Sequence, residues 1–173
     1  MTAPRAQTIS TPDRRCVTLR RAGQADGEAV AALLRDLKLP TDGVADWLEQ
    51  FWVGEHAGTV VGVAGMERYG DAGLLRSVAV DSAWQGSGIG RALVNLVLED
   101  GRAAGVRDVY LLTTTAEHYF PRLGFACVDR EGVPSAMRAS AEFTGACPSS
   151  AVVMRRAADH RSASSQPRAG GSP

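Results

Sequence analysis

The stretch that decides the fold lies at residues 74–91 and reads LLRSVAVDSAWQGSGIGR. Its first part, Leu74 to Val80, is short and mostly apolar, like a buried β-strand. Three glycines follow within five residues, and the segment from Ile89 onward has the apolar spacing of a helix. Glycine allows a sharp turn with accessible N–H groups, and the free N–H groups of a helix start attract anions. The stretch therefore predicts a phosphate-binding turn.

Two common phosphate motifs do not fit this turn. A P-loop requires a lysine and then serine or threonine after its second glycine, and no such lysine follows here. A dinucleotide fingerprint that begins at Gly86 needs its last glycine where Arg91 stands, and one that begins at Gly88 needs it where Leu93 stands. The sequence is therefore typical of neither an ATP site nor a Rossmann fold. A plain strand-to-helix connection needs only one such glycine.

The flanking sequence predicts an α/β domain with a mixed, mostly antiparallel sheet. Tight turns separate three segments of strand character, Phe51 to Glu55, Thr59 to Arg68 and Gly73 to Val80. Val106 to Thr113 is short, apolar and without a helical period, so we predict a buried strand there. We expect this strand to lie parallel to the third of the strands above, joined to it by a right-handed crossover. The other expected elements are strands at 16–20, 125–129 and 151–155, helices after Asp26 and at 116–123, and a helical turn at 134–139. Residues 41–48 fit either a short helix or a loop.

Length and end composition predict one domain with two tails. Residues 16–156 are long enough to bury a core without disulfides or metals. Both ends are polar and lack apolar periodicity. We therefore expect loose tails at residues 1–15 and 157–173.

Composition narrows the class of partner. Basic and acidic side chains number 19 each, which does not favour a nucleic-acid binder. No run of about 18 apolar residues and no signal-peptide pattern occur, so we expect a cytoplasmic protein without a membrane partner. Three widely spaced cysteines, Cys16, Cys127 and Cys147, suit free thiols better than disulfides or a zinc site. We expect no metal.

The turn resembles the signature of a known superfamily. Gln85-x-x-Gly88-x-Gly90 is similar to the Arg/Gln-x-x-Gly-x-Gly/Ala motif of the GNAT N-acetyltransferases, and it follows a strand as it does there. The order of elements and the Arg-Leu-Gly-Phe sequence at residues 122–125 resemble that family too. Leu-Leu-Arg-Ser at 74–77, Leu-Leu-Thr-Thr-Thr-Ala-Glu at 111–117 and the segment 147–154 resemble its arsenic-resistance subgroup. The resemblance implies a GNAT-like sheet, with helices on both faces and a splayed parallel strand pair.

The resemblance also implies a cofactor site. The co-substrate would be acetyl-CoA, with its pyrophosphate on the backbone amides of the glycine turn and its pantetheine arm along the preceding strand. Arg91 is equally compatible with a phosphate contact and with an exposed helix surface. The residues concerned are Val78, Ala79, Val80, Gln85, Gly86, Ser87, Gly88, Ile89, Gly90 and Arg91.

The acid and base of acetyl transfer are less well defined. Many members of the superfamily place a tyrosine four residues before the glycine of the Gly-Phe turn, but Phe120 stands there and Tyr119 precedes it. Because a helix turns about 100° per residue, a regular helix would point Tyr119 elsewhere. Tyr119 is thus a candidate acid or a packing aromatic. Glu67 and Glu117 are candidate bases; surface pairing and helix-start stabilisation are their alternative roles.

Arg76 is a charge within an apolar strand, so it must face a cleft, a partner or solvent. It is either a two-pronged clamp for a substrate carboxylate or the ion-pair partner of Glu67 on the neighbouring strand. Acetyltransferases of glutamate-like amino acids carry a similar arginine-bearing strand.

Three functions follow from the resemblance. The first is acetylation of a small primary amine, such as an amino acid or an arsenical amino acid, in detoxification. The second is acetylation of a protein or peptide, which the near-neutral charge favours less because no acidic docking surface is evident. The third is a non-catalytic CoA-binding sensor. Homodimers are common in the superfamily.

Overall fold

The sheet has eight strands in the order β1-β2-β3-β4-β5-β6-β8-β7 in a computed structural model that describes residues 6–157. Among the strands of the described residues, only β5 and β6 pair in parallel; all other neighbours are antiparallel. The strands are β1 Gln7–Ser10, β2 Cys16–Arg21, β3 Phe51–His56, β4 Thr59–Tyr69, β5 Ala72–Val80, β6 Asp108–Thr113, β7 Ala126–Cys127 and β8 Val152–Ala157.

Helices cover both faces of the sheet because alternate strand residues point to opposite sides. Trp52 packs with α3 (Ile89–Ala103), whereas Phe51 and Val53 pack with α1 (Gly27–Asp36) and α2 (Val44–Trp47). A loop over residues 130–148 covers the far part of the α1 face, where Met137 packs among buried strand residues. Within the described residues, no helix is long and apolar enough to cross a membrane.

The parallel pair separates soon after it forms. β5 and β6 pair only from Ala72 to Leu74, opposite Asp108 to Tyr110, and then diverge. Where they diverge, β5 carries a bulge: Val63 and Gly65 of β4 pair with Ala79 and Arg76, so two residues of β5 oppose one of β4. Ser77 in the bulge has a φ of 54°. The sequence-based fold class, including the splayed parallel pair, is confirmed.

Two local predictions are wrong. A loose tail is expected over residues 1–15, but Gln7–Ser10 pairs with β2 as an edge strand. A helix is expected at 116–123, but the chain forms an irregular turn and a 3-10 turn at Phe120–Leu123. Pro121 explains this, because proline has no N–H for a helical hydrogen bond. Most of the predicted tail 157–173 lies outside the described residues.

Candidate active site

A cavity of about 710 Å³ opens where β5 and β6 diverge. Its long wall is β5 from Leu75 to Val80, and its opposite wall is the end of β6 with the turn up to Phe120. The glycine turn closes one end. The other end is bounded by the α1–α2 loop (Lys38, Leu39, Pro40) and by Glu142, Ala146, Cys147 and Pro148 of the C-terminal loop.

The start of α3 presents unpaired backbone N–H groups to this cavity. Gly88, the N-cap, has a left-handed φ of 88°, and the first hydrogen bond within the helix runs from the Ala92 N–H to the Gly88 carbonyl at 3.0 Å. The N–H groups of residues 89–91 therefore precede the helical ladder and remain available to an anion. This is the arrangement that the sequence predicts for a phosphate site.

Side chains around the turn fix its shape. The Gln85 amide donates to the Val80 carbonyl at 3.2 Å, which ties the turn to the end of β5. A Cβ at Gly90 would lie 3.3 Å from Cγ2 of Val80 and 3.6 Å from the Tyr119 hydroxyl, so a larger residue would narrow the cavity there. Arg91 is exposed and lines the cavity.

The divergence leaves the β6 side of β5 without a partner strand from Leu75 onward. An extended ligand can therefore pair with the backbone of Val78 to Val80 as an added strand. The bulge at Ser77 changes the direction of the backbone where this free edge begins. Such bulges commonly redirect groups next to a reactive centre.

Tyr119 and Phe120 both line the cavity. The helical-wheel expectation that Tyr119 points elsewhere is wrong, because the segment is not a regular helix. Tyr119 packs edge-on against Phe120, and partial burial raises the pKa of its hydroxyl despite the nearby charge of Arg91. Its role as the acid stays a prediction.

Glu67 and Arg76 belong to a buried group of polar side chains, which we call the Arg76 cluster: Glu67, Tyr69, Arg76, Glu142 and Cys147. The Arg76 guanidinium, with 1% of the side chain exposed, forms ion pairs with Glu67 and, at 2.8 Å, with Glu142. It also donates to the Asp42 carbonyl at 2.6 Å. Tyr69 donates to the second oxygen of Glu67 at 2.5 Å, and burial and that carboxylate raise the pKa of Tyr69 to about 12.

These contacts include the ion pair between Arg76 and Glu67, which was one of the two predicted alternatives for Arg76, and they argue against a direct catalytic or clamping role for these two residues. Glu67 is buried, holds Arg76 and Tyr69, and is absent from the cavity wall, so it does not reach an amine directly. Arg76 touches the cavity, but its donors are directed to Glu67, Glu142, Asp42 and Ser77. No two N–H groups of Arg76 therefore remain free to bind the two oxygens of a substrate carboxylate. Glu117, the other candidate base, is exposed and outside the cavity wall.

The structure adds cavity residues that the sequence did not single out. Glu142 and Cys147 come from the C-terminal loop, and the Cys147 thiol donates to Glu142 at 2.7 Å. Burial and that carboxylate raise the pKa of Cys147 to about 12, so the thiol stays protonated. Lys38 lies exposed at the cavity wall beside Leu39 and Pro40. Glu142 and Lys38 had no sequence signal beyond their place near irregular segments, which commonly carry binding residues, whereas Cys147 begins the segment 147–154 that resembles the arsenic-resistance subgroup.

The fold is the one found in a known group of enzymes. The chain has the fold of the GNAT acetyltransferases, and residues 47–127 match the family model described as the acetyltransferase (GNAT) domain.

Several proteins of known name are similar to this chain in sequence or structure. The chain is 40% identical over 91 residues to the amino-acid acetyltransferase of Mycobacterium tuberculosis, which is 50% of this chain and 51% of that protein. It therefore spans about half the length of that relative. Among solved structures, N-acetylglutamate synthase from Neisseria gonorrhoeae, complexed with coenzyme A and N-acetyl-glutamate, superposes with a TM-score of 0.73 at 24% identity, over 84% of this chain and 35% of that one. A Mycobacterium tuberculosis protein in complex with CoA gives a TM-score of 0.68 at 28% identity, covering 80% and 98% of the two chains.

Proposed function

We propose that this chain is an acetyl-CoA-dependent N-acetyltransferase that acts on the amino group of a small amino acid. The observation that carries the proposal is the single cavity that joins the glycine turn, the free edge of β5 and the bulge at Ser77. The turn suits the pyrophosphate and the free edge suits the pantetheine arm. The amino-acid acetyltransferases and CoA complexes among its relatives support the same activity.

The chemistry needs a polarised thioester carbonyl, a neutral amine and a proton for the leaving thiolate. Backbone N–H groups of the free edge near Val78 supply the donor for the carbonyl oxygen. Tyr119 is the proposed proton donor for the sulfur, since its hydroxyl lies in the cavity and its raised pKa keeps it protonated. Lys38 at the rim supplies the positive charge for a substrate carboxylate, because Arg76 is already paired.

The resemblance to the arsenic-resistance subgroup adds an arsenical amino acid as one candidate acceptor. It has the same amino and carboxylate groups as an ordinary amino acid, so the same cavity chemistry serves both. The amino-acid acetyltransferases among the relatives favour a small acceptor over a protein or peptide.

Thiol release in the presence of acetyl-CoA tests the proposal. We expect turnover with one or more members of a panel of L-amino acids and arsenical amino acids, and weaker turnover with peptides. Acetyl-CoA binding without turnover of any amine would instead support a CoA-binding sensor. Turnover of peptides alone would show that the acceptor is a protein or peptide instead of a small amino acid.

Replacing Tyr119 with phenylalanine is expected to lower kcat roughly 100-fold, the usual contribution of a positioned acid, while KM for acetyl-CoA changes little. Because burial raises the pKa of Tyr119 above its ordinary value of 10.0, the wild-type rate should not fall through this group as pH rises from 7 to 9. Steady-state rates across that range measure both effects. The control is Tyr110→Phe, since Tyr110 is buried away from the cavity wall; equal losses in both variants would contradict the role of Tyr119.

A further inference from the structure

The Arg76 cluster has an excess of negative charge. Two carboxylates, Glu67 and Glu142, contact one guanidinium, and their side chains are 2% and 8% exposed. Tyr69 and Cys147 contribute neutral hydrogen bonds only. Buried carboxylates are stable when each has a cationic or strong hydrogen-bonding partner. Both carboxylates here share the single cation of Arg76, so with both ionised the cluster carries one negative charge more than Arg76 balances.

Glu142 is the carboxylate that faces the cavity. It lines the cavity together with Arg76 and Cys147, whereas Glu67 lies behind Arg76 and is not part of the wall. One oxygen of Glu142 contacts Arg76, and the other accepts only the Cys147 thiol among the described side chains. A thiol is a weak donor, and a carboxylate oxygen accepts more than one hydrogen bond.

Among the described residues, Arg76 is the only cation that forms an ion pair with Glu142; Lys38 lines the same cavity but forms no ion pair with it. Arg130, from the same loop, is close enough to Cys147 for its charge to oppose, in small part, the rise in the pKa of that thiol that burial causes. Its guanidinium donates to the Ser149 carbonyl at 3.1 Å and lies 5.3 Å from the Phe143 ring centre. Asp42 contributes only its backbone carbonyl to Arg76. The open position next to Glu142 is thus on the cavity side.

We propose that Glu142 binds the protonated amino group of the acceptor and accepts its proton before acetyl transfer. This inference rests on the proposed function and assigns the base of that reaction. An ammonium supplies both a second positive charge and a strong donor to the Glu142 oxygen that Cys147 now occupies. Arg76 then acts as a positioning residue, because it holds Glu142 against the strand that carries the bulge.

The proton balance follows from this placement. One proton moves from the ammonium to Glu142 and passes to solvent after the reaction. The neutral amine nitrogen bonds to the thioester carbonyl carbon, the carbon–sulfur bond breaks, and the second proton of the nitrogen ends on the CoA sulfur through Tyr119 or water. The products are an N-acetyl amine, free CoA and one released proton.

Glu142→Gln tests the inference because glutamine keeps the shape and removes the charge. We expect KM for the amino-acid acceptor, and its Kd for the CoA-saturated protein by calorimetry, to rise on the order of 10- to 100-fold. KM for acetyl-CoA should stay within twofold. The matched control is Glu131→Gln, an exposed residue of the same loop, which should change neither value more than twofold. Unchanged acceptor binding in Glu142→Gln would overturn the inference.

Glu67→Gln separates amine recognition from support of Arg76. Both substitutions leave Arg76 with one carboxylate, but only Glu142 reaches the cavity. We expect Glu142→Gln to weaken acceptor binding at least fivefold more than Glu67→Gln. Equal losses would show that Glu142 acts only through Arg76.

A hydroxy analogue tests the chemistry of recognition directly. The CoA-saturated wild type should bind L-glutamate at least tenfold more tightly than 2-hydroxyglutarate, which lacks the ammonium, and Glu142→Gln should reduce that preference to less than threefold. Calorimetry does not need turnover. A wild type that binds amino acids through Glu142 without acetylating them would overturn the proposed function alone, and a normally active Glu142→Gln variant would overturn this inference alone. No binding of any amino acid to the CoA-saturated wild type would also overturn it.

Discussion

Arg76→Met is expected to lower the free energy of unfolding by about 3–5 kcal/mol, because it leaves Glu67 and Glu142 buried together without a cation. Methionine has a similar length and adds no polar group, so the loss reports the missing charge rather than a cavity. Urea unfolding at neutral pH, followed by circular dichroism, measures the change.

Two further variants identify the cause of that loss. Arg76→Lys keeps a positive charge but not the forked donors, so it should lose less than half as much. Combining Arg76→Met with Glu67→Gln and Glu142→Gln removes all three charges and should recover part of the loss, since replacing a whole buried ion cluster costs less than breaking it. A loss below about 1 kcal/mol for Arg76→Met would contradict a buried, charge-dependent cluster.

Local patterns in the sequence were sufficient for the centre of the fold. The strand, the glycine turn and α3 follow from apolar spacing and glycine position, which depend on neighbours within a few residues. The parallel pairing of β5 and β6 follows from the helix between them. The helix expected at 116–123 was wrong because Pro121 has no N–H for a helical hydrogen bond.

Long-range features could not be read from the sequence in the same way. The bulge at Ser77 depends on the register between β4 and β5, which no local pattern specifies. The sequence showed that Arg76 needs a partner and suggested Glu67, but Glu142 lies far along the chain in an irregular loop. The charge of Arg76 inside an apolar strand therefore indicated where the Arg76 cluster lies, but it did not identify all of the residues in that cluster. Strand β1 was missed because an exposed edge strand needs little apolar pattern.

Gly88→Ala is expected to weaken acetyl-CoA binding on the order of 10- to 100-fold. Gly88 starts α3 with a φ of 88°, which alanine adopts only with strain of about 1–2 kcal/mol. Relief of that strain rotates the peptide units that aim the first N–H groups of α3 into the cavity, and each lost charge-assisted hydrogen bond costs about 1.5–3 kcal/mol of binding. Calorimetric titration of acetyl-CoA measures the change.

Gly105→Ala is the matched control, because it imposes the same kind of strain at the opposite end of the same helix. Gly105 has a φ of 91°, a Cβ there meets no neighbour within 4 Å, as at Gly88, and the residue is outside the cavity wall. Both variants should lose similar stability in urea, but only Gly88→Ala should lose acetyl-CoA affinity. If both lost affinity equally, the effect would come from general weakening of α3, and the glycine turn would not be the phosphate site.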